Sequence, residues 1–138
     1  MRFLILAAAF IVPACSKQQS PAPDIPPGSY AGNGRDRLCI EALDGEALRV
    51  GIITYGAGDQ NCQVAGKVAQ SDGRLTLTPT GEGDCRIPLV KEGTTLRIGA
   101  VPQACDYYCA PDASLGGERF DFGKYVGAAT DLAGDPLC

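Results

Sequence analysis

An all-β domain is the fold class this sequence predicts: a small antiparallel meander of about seven or eight strands, curled into a barrel or sandwich and stapled by disulfides. Three observations carry the expectation. Apolar and polar residues alternate with a period of two through the middle of the chain, as in Leu75-Thr76-Leu77-Thr78, where one face is buried and the other wet. Turn dipeptides recur between these runs, and Asp44-Gly45 and Asp72-Gly73 are the strongest hairpin signals. Composition agrees, since 18 glycines and 10 prolines against 7% aromatics favour many turns and short strands over long helices.

The elements follow in order. A short extended piece near Tyr30 precedes a strand over 38–43, which ends at Asp44-Gly45. The next strand, 48–55, places Leu48, Val50 and Ile52 on one face. A loop over 56–61 leads to a strand over 63–69, the Asp72-Gly73 turn and a strand over 75–78. Residues 81–84 turn the chain again, and 86–90 and 95–101 pair about Glu92-Gly93. Residues 105–117 read as a cysteine-held loop or short helical turn, and 119–122 as a last short strand. Glycine and proline bound a weak helix expected over 125–132. Closing such a meander hides the sheet edges that would otherwise template aggregation.

The chain of 138 residues suits one domain. Its formal net charge of −4 repels phosphate backbones, and no Lys/Arg cluster overrides this locally, so nucleic acid is not an expected partner. Neither His nor Trp occurs. Without His the chain cannot build a Ser-His-Asp triad, a Cys-His pair or a His-ligated metal centre, and C-x-x-C-H for haem attachment is missing. No cofactor and no metal are expected, and the expected role is not enzymatic.

The N-terminus has the layout of an export signal over 1–14. A positive start, Met1-Arg2, precedes an apolar run over 3–12 that is too short to span a bilayer, and Val12-Pro13-Ala14-Cys15 follows. This resembles the lipobox of bacterial lipoproteins, in which a small residue precedes an obligatory Cys. Pro13 departs from the small residue usual there. The resemblance implies diacylglycerol on the Cys15 thiol and cleavage that leaves Cys15 as the first mature residue. A plain signal peptide cut after Ala14 would leave Cys15 incidental, but the order of apolar run, alanine and cysteine favours lipidation. Buried acyl chains then hold the protein on a membrane at about 0.8 kcal/mol per CH₂. Residue 16 is Ser, and in enteric lipoproteins lack of Asp there permits transfer to the outer membrane. The expected location is therefore the cell envelope, lipid-anchored, at the outer membrane facing the periplasm. From residue 15 to 28, four prolines among polar neighbours read as a semi-rigid tether, with the folded domain over 29–138.

Assigning Cys15 to lipid leaves six of the seven cysteines: Cys39, Cys62, Cys85, Cys105, Cys109 and Cys138. An even number in an exported chain of this size reads as three disulfides, and the sequence leaves their pairing open. Cys138, the last residue, could also stay free or pair between molecules. Cys105-Asp-Tyr-Tyr-Cys109 is one knuckle without the second that zinc sites use, and one residue longer than the C-x-x-C redox motif.

That segment is also the most distinctive candidate site. Tyr107 and Tyr108 between two cysteines, with Asp106 and Asp112 beside them, would form a rigid contact surface. The plainer alternative has one tyrosine plugging the barrel end and the other exposed. Gly56 to Asn61 lacks the Lys and helix of a phosphate loop and reads as a hairpin turn. Glu82/Asp84 and Asp44/Glu46 read as solvated turn residues rather than a glycosidase pair. Ser114 has only Lys91 or Lys124 as a conceivable base.

In size and layout the mature chain resembles small Cys-rich envelope lipoproteins of no assigned activity. One similar β-barrel family inhibits lysozyme, through a Ser-Gly loop ending in Tyr and a Trp-x-Lys-Gly segment; neither occurs here, so no residue carries over. The function expected is a membrane-anchored, non-enzymatic binding or structural module. Its partner would be an envelope protein, such as a cell-wall hydrolase it inhibits, or a small apolar ligand carried as lipocalins do.

Overall fold

A computed structural model describes residues 23–45 and 47–138. The signal, Cys15, most of the tether and Glu46 lie outside the described residues. Eight strands form one antiparallel sheet in sequence order: β1 (Gly28–Ala31), β2 (Arg37–Ala42), β3 (Leu48–Tyr55), β4 (Asn61–Ser71), β5 (Arg74–Pro79), β6 (Ile87–Glu92), β7 (Thr95–Ile98) and β8 (Arg119–Asp121). The predicted all-β meander is thus a single, nearly closed barrel-like sheet. Its seam closes where the chain beyond β8 lies along β1: Ala31 N–H donates to the Lys124 carbonyl at 2.9 Å and Val126 N–H to that of Ser29 at 3.0 Å. The outer edge of β1 is thereby occupied.

The period-two pattern decides what fills the barrel. Tyr30, Leu38, Ile40, Val50, Ile52, Val64, Leu77, Ile87, Leu96, Ile98 and Phe120 alternate inward and are almost wholly buried in one cluster. Strand β4 is the longest at 11 residues, and at Gly66 it bends so tightly over β5 that a Cβ would lie 2.0 Å from the Thr78 carbonyl oxygen. Only glycine permits that corner.

The two ends of the barrel differ. At one end lie the short β2–β3, β4–β5 and β6–β7 turns, and here the chain enters. Ile25 is buried in the core, and the Tyr30 hydroxyl lies 2.9 and 3.0 Å from the Pro26 and Pro27 carbonyls, which share its proton. Burial, reinforced by neighbouring Tyr125, pushes the Tyr30 phenol up to about 12, so it remains a donor at neutral pH. The folded unit therefore takes in Ile25–Gly28, and any free tether stops short of them. A groove of about 670 Å³ at this end is lined by Gln70, Arg74, Thr76, Pro88, Val90 and Lys91, with Asp24 at 2.8 Å from Lys91.

At the other end the β1–β2, β3–β4 and β5–β6 connections meet the long β7–β8 segment, residues 99–118. It contains the expected helical turn, a 3₁₀ helix over Gln103–Tyr108. Disulfides hold it down at two points: Cys85–Cys105 and Cys62–Cys109. All three predicted bridges are present, the third being Cys39–Cys138. The terminal cysteine is neither free nor intermolecular.

The helix expected over 125–132 is absent. Asp131 accepts from the Ala133 and Asp135 N–H groups through one carboxylate oxygen, both at 2.9 Å, and Leu137 N–H donates to the Ala129 carbonyl. A side chain that bonds its own backbone this way favours turns over helix. The tail folds back instead over the outer face of β3, where Ile53, Ala129 and Leu137 form a second small core. Gly51 makes this docking feasible, since a Cβ there would stand 2.2 Å from the Leu137 carbonyl oxygen.

Candidate functional site at the stapled end

Strand alternation also explains what sequence reading missed. Asp36 lies two residues before inward-facing Leu38, and Glu118 two before inward-facing Phe120. Both carboxyl groups therefore point inward at the stapled end, where Asp36 is only 3% exposed. Asp36 Oδ1 accepts the Tyr55 N–H at 2.9 Å, and the Glu118 carboxyl neighbours the Asp36 carboxyl. Desolvation raises both groups above the ordinary carboxylate range, and the neighbouring Asp36 charge raises Glu118 further. For Asp36 the Tyr55 amide, Glu118 and Arg37 oppose that rise. Extending the inward parity of β2 and β8 by one step would have found the pair.

Raised folded values fix the sign of the pH dependence. The folded state holds these protons more tightly than the unfolded chain, so stability is greatest below the unfolded carboxylate range of about 4 and falls as pH rises through the raised values. Glu118→Gln keeps a donor for Asp36 and removes a charge. Thermal unfolding followed across mildly acidic to neutral pH should show a shallower decline than wild type, with Tm a few degrees higher at neutrality. Superimposable curves would show that the pair is not strained.

Around this pair the connecting segments lock together. Thr54, fully buried, donates from Oγ1 to the Ser114 carbonyl at 2.9 Å. Gly56 sits so close under the stapled segment that a Cβ would fall 1.7 Å from the Asp112 carbonyl oxygen. Gly56 N–H bonds Gln60 and Ala57 N–H reaches Asp112, so residues 56–61 are the hairpin turn expected. Arg35 lays its guanidinium 4.1 Å from the centre of the Tyr55 ring, pairs with Asp59 at 2.9 Å and donates to the Gly58 carbonyl.

The predicted contact residues divide. Tyr107 is 90% exposed, whereas Tyr108 is partly buried against the core. The rings meet edge to face with centroids 5.3 Å apart, so the buried tyrosine orients the exposed one. Asp106 and Asp112 are both exposed beside them. Ser114 is not brought to a base at Lys91, which sits at the opposite end with Asp24, and Lys124 belongs to the closing seam. Asp44, Glu82 and Asp84 are solvated turn residues, as expected.

No protein family, curated protein or solved structure matches this chain. Its function has to be argued from the stapled end itself. That end presents one exposed aromatic ring, several solvent-exposed carboxylates and a backbone cross-linked at two points, to β4 and to the β5–β6 connection. Such a surface loses little conformational freedom on contact with a partner.

Proposed function

We propose that this protein is a lipid-anchored envelope module that binds another protein through its stapled end. The observation that carries the reading is the position of Tyr107. It stands almost fully exposed on a segment bolted by two disulfides, at the end of the barrel opposite the entry of the chain. With Cys15 acylated and the tether leading to Ile25, that end faces away from the membrane. A preorganised tyrosine supplies contact area at small entropic cost, which is how aromatic anchors come to dominate interfaces. The interior supports the same reading over a carrier, because the barrel axis is occupied by its own side chains.

Two measurements test it together in the native cell. Cys15→Ser should release the protein from the membrane fraction. A photo-crosslinking residue at position 107 should capture a discrete partner, while the same residue at Lys67 on the outer wall should not. Tyr107→Ala should weaken that complex by about tenfold or more. Equal capture from both positions would defeat the assignment of the contact surface, and an unlipidated Cys15 would defeat the anchor.

A further inference from the structure

We infer that the partner meets the stapled end with a cationic, arginine-bearing protein face. The inference rests on the binding surface proposed above and specifies its occupant.

Charge is divided unequally between the two ends. Of the chain's 12 Lys/Arg and 16 Asp/Glu, the connections at the stapled end hold only Arg35 and Arg86, and Arg37 at the start of β2 reaches the same end. Against these three stand Asp59, Glu82, Asp84, Asp106 and Asp112 in solvent, with the Asp36–Glu118 pair within, so carboxylates outnumber cations there. The excess negative charge is thus concentrated around Tyr107.

Pairing sharpens the asymmetry. All three arginines are turned onto the protein itself: Arg35 onto Tyr55, Asp59 and the Gly58 carbonyl, Arg37 onto the Gly34 and Asp36 carbonyls at 3.1 and 2.8 Å, and Arg86 onto the Gly83 and Cys85 carbonyls at 3.2 and 2.7 Å. Among the described residues none of Glu82, Asp84, Asp106 and Asp112 pairs with a cation. Elsewhere ion pairs do form, Glu92 being held by Arg97 and Arg119 at 2.9 and 2.8 Å, which keeps its carboxyl below the ordinary range. A negative patch of this kind steers cationic partners and repels anionic membranes and nucleic acids. The exposed Tyr107 face adds a preference for guanidinium over ammonium, because a planar, weakly hydrated cation stacks on an aromatic ring.

The test uses the full chain with three defined probes: arginine-rich, lysine-rich and glutamate-rich peptides of equal length. Titration at low and high salt should give binding in the order arginine, lysine, glutamate, with the first two weakened by salt. Tyr107→Ala should weaken the arginine-rich peptide about threefold and narrow its margin over lysine. Asp106→Asn with Asp112→Asn, both exposed, should weaken both cationic peptides about tenfold. Failure of the arginine-rich peptide to bind, or an arginine margin unmoved by Tyr107→Ala, would overturn the inference. Capture at position 107 of a partner whose contacting face lacks arginine would also overturn it while leaving the binding surface standing. Absence of capture at 107, with capture elsewhere, would remove the surface itself.

Discussion

Replacing Cys62 and Cys109 by alanine is expected to lower the unfolding free energy by about 4 kcal/mol, more than removal of either other bridge. Cross-linking limits the unfolded chain in proportion to the logarithm of the loop it closes, and this pair spans 47 residues. Cys85–Cys105 spans 20 and should contribute about 3 kcal/mol. Cys39–Cys138 spans 99, and its nominal contribution is about 5 kcal/mol. That value is not fully realised, because without its bridge the tail can lift from β3 while the barrel stays folded. Cys62 has no such escape: it is wholly buried among the residues that pack the barrel. For small domains, stable by about 5–15 kcal/mol, the Cys62–Cys109 loss is severe. Urea unfolding of the three double variants, each otherwise oxidised, measures the order. A greater loss for the Cys39/Cys138 variant would mean that the tail is integral to the barrel.

The second large effect concerns two glycines two residues apart. Gly56→Ala should cost more than about 3 kcal/mol, because the new methyl would overlap the Asp112 carbonyl at 1.7 Å and push the stapled segment off β3. Gly58→Ala faces open space, and only its backbone angle of φ +60° resists, so about 1–2 kcal/mol is expected. Thermal unfolding of both gives the contrast. The Gly56 variant should in addition shift the Tyr107 environment, visible in near-ultraviolet circular dichroism. Equal destabilisation would mean that the segment can retreat from Gly56 without loss.

Strands were legible because their signal is local. Leu48, Val50 and Ile52 on one face, and Leu75 and Leu77 on another, report burial through nothing but their spacing. The six cysteines likewise announced cross-links by their even number. Their partners were not legible, because pairing depends on which strand ends meet in space. Cys62 and Cys109 are neighbours only once β4 and the β7–β8 segment share one end of the barrel. The tail misled for a related reason. Residues 125–132 carry mild helical character, but Cys138 and the Gly51 notch commit that stretch to the outside of β3. In the candidate site, Tyr107 and Tyr108 stood out by composition, yet which ring faces solvent is set by the twist of a 3₁₀ helix. The Asp36–Glu118 pair continues the inward parity of β2 and β8, but its composition alone does not mark it, since charged residues at strand ends are usually solvated.

The three bridges also bear on assembly. Their loops are concentric: Cys85–Cys105 lies inside Cys62–Cys109, and that inside Cys39–Cys138. A chain emerging N-terminus first offers Cys39 and Cys62 to an oxidant before either native mate exists, and joining these two neighbours would be wrong. Were oxidation to keep pace with emergence, native closure would run from the innermost ring outward, because Cys105, Cys109 and Cys138 arrive in that order. Such a course would call for thiols that wait for the sheet to form, or for an isomerase that undoes hasty joins.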